Sequence, residues 1–154
     1  MLPIPMGLNL LAVDPDDLTV ISTYVQDALT KVGDLRWRPA AMHFDILLNR
    51  FRWEKTAGSA GRGAPERSLA ALHFSRVLDV KSAGINRQRA DGVLELLAMT
   101  FEPGHAPGGT IELSFAGGGT IRLNVECVEV QLSDTGASWQ AGSHPTHPNA
   151  EGDQ

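Results

Sequence analysis

The sequence has few of the residues that build covalent or metal-bound frameworks. Its 154 residues include one cysteine, Cys127, which can form neither an internal disulfide nor a cysteine-based zinc cluster. The expected setting is therefore a reducing one, the cytoplasm. Basic residues are also scarce, because 13 Lys and Arg stand against 18 Asp and Glu and leave a formal net charge of −5. This balance argues against a protein whose whole surface holds nucleic acid, although a local basic patch is compatible with it.

Long apolar runs are missing as well. The apolar start, MLPIPMGLNLLAV, has no basic residue, is interrupted by Pro3 and Pro5, and is too short to span a bilayer. We therefore expect no membrane association. No motif in the chain indicates a cofactor, and we expect none.

A group of carboxylates precedes the first apolar residues at helical spacing. The stretch DPDD, residues 14–17, could suggest a metal site. A helix start fits it better, with Asp14 as the N-cap, Pro15 in the first turn and two further carboxylates at the positive end of the helix dipole. From Leu18 onward, apolar residues recur three and four positions apart. We predict an amphipathic helix from about Pro15 to Ala28.

Beyond Gly33 apolar and polar residues alternate, as in strands that are exposed on one face. The alternation slips by one position near Asn49 and Arg50 and again near Cys127, which predicts a β-bulge at each place. We expect an α+β fold. It consists of a mostly antiparallel β meander of about seven strands, one of them spanning residues 68–85, curled into a half-barrel or sandwich, with one N-terminal amphipathic helix. Residues 1–136 would form a single domain, and residues 137–154 a largely disordered C-terminal tail.

Three consecutive glycines in FAGGGTIRLN, residues 115–124, raise the alternative of a phosphate-binding loop. Such a loop lies between a strand and the start of a helix, whereas here both flanks alternate with period two and no lysine follows. Pairing the flanks around Gly118 sets Leu113 opposite Leu123 and leaves one face apolar and the other polar. We predict a β-hairpin whose turn is formed by the glycines.

Five segments of the chain together resemble a known protein family. They are LNLLAVDPDDLTVISTYVQDALTKVGDL, FDILLNRFRWE, VLDVKSAGI, LLAMTFEPG and GGGTIRLNVECVEVQLSDTGASW, in this order between Leu8 and about His147. In these segments the chain is similar to the alphaproteobacterial domain-of-unknown-function family 2948. The resemblance implies a small intracellular protein of similar layout. It assigns no activity and no catalytic residue.

Arginines next to aromatic residues form the first candidate site. The stretches RWR and NRFRWEK contain Arg36, Arg38, Arg50 and Arg52 together with Trp37, Phe51 and Trp53. Arginines and aromatics on one surface can contact a phosphate backbone and stack on bases. In the structural alternative the aromatics face the core, and the arginines cover apolar surface with their stems. Either way, we predict that the four arginines project outward.

Polar side chains on two predicted strands form the second candidate site, and they are His43, Asp45, Asn49 and His73. Symmetric closure of the loop between the strands would set Asn49 opposite His73, with Asp45 two pairs away on the same face. An imidazole and a carboxylate on one face can transfer protons or bind a metal. Solvent-facing strand positions are polar in any case, so a purely structural role is the alternative. His144 and His147 lie in the predicted tail, where we expect no preorganised metal site.

These observations favour a non-enzymatic binding or interaction module, because structural roles account for the chain without leaving a catalytic residue over. A protein partner or a second copy of the chain could pair with an exposed sheet edge. The first alternative is binding of nucleic acid or another polyanion through the four arginines. The second is an enzyme that uses the surface of His43, Asp45 and His73.

Overall fold

The computed structural model describes residues 7–51 and 66–140 of the chain. In chain order its elements are β1 (Asn9–Ala12), α1 (Pro15–Tyr24), β2 (Leu29–Lys31), β3 (Leu35–Arg38), β4 (His43–Phe51), β5 (Glu66–Phe74), β6 (Val77–Ala83), β7 (Val93–Pro103), β8 (Gly109–Phe115), β9 (Thr120–Val125) and β10 (Val130–Gln140). Two 3-10 turns, Val32–Asp34 and Pro39–Ala41, flank β3. The mostly antiparallel sheet with one helix near the N-terminus agrees with the prediction.

The described residues contain ten strands rather than about seven. The strand predicted over residues 68–85 is two strands, β5 and β6, because Arg76 adopts a left-handed conformation between them (φ 61°). The predicted bulge near Cys127 is also wrong, since residues 126–129 form a break between two strands that lie in different parts of the sheet. β9 pairs with β8 and β6, whereas β10 pairs with β1 and β5.

Every pairing is antiparallel, and the strand order is β1-β10-β5-β4-β2-β7-β8-β9-β6, with β3 added beside β4. The path begins at β1 and ends at β6, so the sheet is open. β2 links the two halves of this order, because Leu29 lies opposite both Asn49 of β4 and Glu95 of β7. The inward side chains from both halves of the sheet, together with those of α1, form one apolar core.

Helix α1 begins where the sequence predicts. Asp14 is extended (φ −151°, ψ 170°), and its Oδ1 accepts a hydrogen bond from Asp17 N at 2.8 Å. This is the bond of an N-cap residue, which satisfies a backbone donor that has no partner within the helix. Leu18 and Ile21 lie one turn apart on the buried face. The carboxylates of this stretch therefore serve the helix start.

The helix ends at Tyr24, before the predicted end near Ala28. Asp27 has a left-handed backbone (φ 64°) that turns the chain toward β7. There Asp27 N donates to Leu96 O at 2.7 Å, and Leu96 N donates to Ala28 O at 2.8 Å. Sheet hydrogen bonds thus replace the last helical turn. Among the described residues, no helix is both long enough and apolar enough to cross a membrane.

The glycine-rich turn joins β8 to β9 as the predicted hairpin. Gly117 and Gly118 have φ values of 89° and 97°, which other residues avoid. Leu113 lies opposite Ile121, whereas the sequence predicts Leu123 in that place. A shift of two residues keeps every side chain on its own face, so the buried and exposed sets are as predicted although the register is not.

Strand β4 contains no bulge at Asn49 and Arg50, contrary to the prediction. It pairs with β5 in one uninterrupted register from Phe44 to Phe51. The apolar pattern slips because Arg50 itself takes the inward position after Leu48, where it is fully buried. The backbone of β4 is regular here, and what departs from the pattern is an arginine at an inward position.

The predicted tail falls largely outside the described residues. Strand β10 runs to Gln140, and residues 141–154 are not described. The division into a domain of residues 1–136 and a tail of residues 137–154 therefore stays a prediction.

Candidate functional site

Strands β4 and β5 bring two of the predicted polar residues into direct contact. His73 lies opposite Asp45, and its Nδ1 contacts Asp45 Oδ1. The His43 ring meets the His73 ring edge to face, with 4.5 Å between the ring centroids. Because Nδ1 of His73 is engaged by the carboxylate, Nε2 is the ring nitrogen that faces other partners. The three side chains form a half-exposed cluster on the outer face of the sheet.

Asn49 is not part of this cluster, and its predicted pairing with His73 is wrong. Asn49 lies opposite Leu69, because β4 and β5 pair in the register that matches their apolar inward residues and not in the one that symmetric loop closure suggests. Its backbone and side-chain oxygens accept hydrogen bonds from Arg67 Nη1 at 3.2 and 3.3 Å. Arg67 also stacks on Phe51, 3.7 Å from the ring centroid. Burial lowers the pKa of Arg67 below its usual value, although the charges of Glu95 and Asp27 oppose this shift.

The four predicted arginines do not share one surface. Arg36 and Arg38 are exposed and lie opposite Asp45 and His43. Arg50, predicted to project outward, is fully buried and paired with Asp134 at 2.8 Å. Arg52 lies outside the described residues. In the described part of the chain, the arginine surface is thus reduced to Arg36 and Arg38.

The outer-face cluster has little of the geometry of a metal or catalytic site. No group of three His, Cys, Asp or Glu side chains within residues 7–51 and 66–140 could hold a metal ion. A catalytic imidazole also acts within a concave site that positions its substrate. His43, Asp45 and His73 do not line the cavity described next, which lies on the opposite face of the sheet.

A cavity of about 300 Å³ lies between strands that are distant in the sheet order. The side chains of Trp37 and Phe44 enter it from β3 and β4, and Val80 and Ile121 enter from β6 and β9. The predicted burial of Trp37 is only partial, because its ring lies at this opening and not within the closed core. The cavity is therefore mostly apolar, with an aromatic wall on one side.

Backbone hydrogen bonds link the two sides of this cavity at its ends. Among the described strands, β3 pairs with β4 alone and β6 pairs with β9 alone, and residues of both strands line the cavity, so an unpaired edge lies on each side of it. At one end Val77 N donates to Met42 O at 2.9 Å. At the other end the loop after β6 is tied to the 3-10 turn before β3, since Val32 N donates to Gly92 O at 2.9 Å. Both ends of the seam are closed, and the middle stays open.

Comparison with known proteins identifies the family of this chain but assigns it no activity. The family model described as Protein of unknown function (DUF2948) matches residues 8–147, which is nearly the whole chain. The chain belongs to the DUF2948 family. No curated protein and no solved structure matches it significantly. For this DUF2948 protein, function has to be inferred from its own geometry.

Two polar side chains complete the lining of the cavity in this DUF2948 protein. Ser82 extends from β6, and Arg87 from the loop that follows β6. Within the described residues neither side chain makes a hydrogen bond or an ion pair. The exposed Arg122, by comparison, is paired with Glu102 and Glu112 at 3.3 and 3.4 Å.

Sequence reasoning missed Ser82 and Arg87. The stretch GINRQRADG, which contains Arg87, has the composition of an ordinary polar connection. The apolar Ile85 within it is the one local signal of a packed segment, and it does not identify the strands against which the segment lies.

Proposed function

We propose that this DUF2948 protein is a non-enzymatic binding module that takes a small, largely apolar molecule into the cavity between β3 and β6. The observation that carries the proposal is the cavity itself, about 300 Å³ of mostly apolar space between two unpaired strand edges. In this proposal the sheet acts as a half-barrel whose seam is the binding site. A cytoplasmic location, favoured by the single cysteine, is part of the same proposal.

The size of the cavity supports a ligand and not merely trapped water. Pockets for small molecules begin at about 300 Å³ and combine an apolar lining with a few polar groups. An engineered apolar cavity of about 150 Å³ already accommodates benzene. The larger cavity here suits a substituted ring or a branched chain that stacks on Trp37 and Phe44.

The alternative functions draw less support from the geometry. Polyanion binding would rest on Arg36 and Arg38, which lie beside Asp45 and His43 on a mixed surface. Enzymatic proton transfer would rest on the contact between His73 and Asp45, whose side chains are 35% and 24% exposed on a sheet face. A catalytic pair acts on a substrate that the site holds in position, and this pair does not line the cavity between β3 and β6.

The test titrates the protein with phenylethanol, a neutral aromatic probe, and follows the backbone amide NMR signals. We expect saturable chemical-shift changes at amides of β3, β6 and β9, because a bound aromatic ring changes the local magnetic field at the strands that line the cavity. Val80→Phe should abolish these shifts by filling the space. The matched control is Val93→Phe, the same substitution at a strand position that is 63% exposed.

Thermal unfolding of both variants establishes that they are folded. Binding that survives Val80→Phe in a folded protein would contradict the proposal, as would the absence of any saturable shift in the wild-type protein.

A further inference from the structure

We propose that the ligand of this cavity carries a carboxylate and that Arg87 binds it at the cavity mouth. This inference rests on the proposed function and names the chemical class of the molecule bound. It starts from a mismatch in the lining, where an apolar interior adjoins a charged group that no described residue neutralises.

The charge at the mouth has one sign. No Asp or Glu lies among the residues that line the cavity, and Arg87 is the charged residue among them. A cationic ligand would be repelled by Arg87, and a neutral one would leave the guanidinium bound to water alone. A carboxylate matches the guanidinium in charge and in geometry, since both are planar and can form two parallel hydrogen bonds.

A second donor lies on the same side of the cavity. Ser82 is half-buried on β6, and its hydroxyl has no hydrogen-bond partner among the described residues. A half-buried hydroxyl is stabilised when it meets an acceptor, and a carboxylate oxygen is an acceptor only. Ser82 and Arg87 can therefore donate to the same group while the remainder of the ligand lies against Trp37 and Phe44.

The backbone near the mouth is suited to this role. In the described part of the sheet β6 pairs with β9 alone, so apart from Val77 N, which donates to Met42 O, the N–H groups along its other edge have no strand partner and are available to an anion. The loop that carries Arg87 is anchored by Gly33 N, which donates to Ala90 O at 2.8 Å, and by Val32 N. Arg87 thus extends from a fixed segment that closes one end of the cavity.

Three probes with one carbon skeleton separate charge from shape: phenylacetate, phenylethanol and phenylethylamine are an anion, a neutral molecule and a cation. Titrated by NMR at low salt, phenylacetate should bind at least about fivefold more tightly than phenylethanol, as a charge-assisted hydrogen bond at a partly exposed site allows. Phenylethylamine should bind most weakly. Added sodium chloride should weaken the binding of phenylacetate alone, because it screens an exposed charge.

The Arg87→Gln variant should remove the preference, so that phenylacetate binds to it no more tightly than phenylethanol does. The matched control is Arg89→Gln, which removes the same charge from the same loop at a residue that does not line the cavity. Equal affinities for phenylacetate and phenylethanol in the wild type would overturn the carboxylate inference and leave the proposed function intact. A preference that persists in Arg87→Gln would also overturn it. If phenylethanol itself does not bind, the proposed function fails, and this inference fails with it.

Discussion

The inward positions of β4 lead from Phe44 through Ile46 and Leu48 to Arg50, whose side chain is fully buried. Its Nε and Nη2 donate to the two carboxylate oxygens of Asp134 at 2.9 and 2.8 Å. Its Nη1 donates to the backbone oxygen of Phe51 at 2.9 Å. A paired, multiply bonded guanidinium is the form in which an arginine is tolerated in a core.

Asp134 connects this pair to the N-terminal strand. Its Oδ2 also accepts a hydrogen bond from Leu8 N at 2.9 Å, and Leu8 O accepts one from Asp134 N at 3.0 Å. The carboxylate of Asp134 therefore accepts hydrogen bonds from Arg50 of β4 and from Leu8, the residue that precedes β1. The buried pair fixes the relative placement of three chain segments.

Replacing Arg50 with Met should destabilise the protein by about 3–5 kcal/mol, because it breaks a buried ion pair and removes the two hydrogen bonds that Arg50 donates to the carboxylate of Asp134. The double variant Arg50→Met, Asp134→Leu should recover much of this loss, since it buries no charge. Urea unfolding monitored by circular dichroism measures both values. Arg122→Met is the control, because its ion pairs are exposed and worth about 0–1 kcal/mol. A loss in Arg50→Met no larger than in the control would refute a structural role for the pair.

Residue patterns predict the face of most side chains but not this exception. Arginine is rarely fully buried, so an inward arginine appears in the sequence as a slip of the apolar phase and is interpreted as a bulge. The information that would correct this interpretation is the partner, and Asp134 lies 84 positions away along the chain. Nothing local to Arg50 identifies it.

Among the elements, helix α1 shows how far local signals reach. Its start is encoded by Asp14 and Pro15, which act within one turn, and the structure agrees with the prediction. Its end depends on the bonds that Asp27 and Ala28 make with Leu96 of β7, and these bonds replace helical ones. A boundary set by a distant strand cannot be predicted from the helical period alone.

Asp14→Ala should lower the free energy of unfolding by about 1 kcal/mol, because the N-cap bond to Asp17 N is lost. Asp16→Ala is the matched control, since Asp16 lies in the first turn, near the positive end of the helix dipole, and its side chain makes no hydrogen bond or ion pair within the described residues. We expect its effect to be a few tenths of a kcal/mol. Thermal and urea unfolding of the two variants provide the comparison. Equal losses in both variants would mean that general charge effects, and not the cap, stabilise the helix start.

In the hairpin of β8 and β9, the sequence predicts which side chains are buried but not the register in which the strands pair. Alternation correctly assigns Leu113 and Ile121 to the buried face. The register depends on the turn, where Phe115 N donates to Gly119 O at 2.9 Å and Gly118 N donates to Phe115 O at 3.2 Å. Several consecutive glycines allow more than one turn centre, so the sequence leaves the register open by two residues.

At the scale of the whole molecule, the proposed site depends on strand order. Trp37 and Val80 approach the same cavity although their strands do not pair with each other. Period-two patterns indicate that both strands have an apolar face, but they carry no information on which strands face each other across the core. For this reason the predicted sites lay on single strands and neighbouring pairs, whereas the cavity combines β3, β4, β6 and β9.

The distribution of charge also decides between whole-molecule functions. A formal net charge of −5 opposes long-range attraction of a polyanion, and burial of Arg50 removes one cation from the surface that was predicted to bind it. Arg36 and Arg38 remain exposed, next to Asp45. The described part of that surface thus holds two adjacent exposed arginines beside a carboxylate.

The double substitution Arg36→Gln, Arg38→Gln tests whether these two arginines bind a polyanion. We expect wild type to bind single-stranded RNA and duplex DNA more weakly than micromolar at near-physiological salt, and we expect the double variant to differ by less than about twofold, because mixed charges release few counterions. Fluorescence anisotropy at several salt concentrations measures the affinity and its salt slope. Arg122→Gln, an exposed arginine that is already paired with Glu102 and Glu112, serves as the control. Tight binding whose log–log salt slope flattens by roughly 0.7–0.9 for each arginine removed would instead establish a phosphate-binding face, and the polyanion alternative would then replace the cavity as the main function.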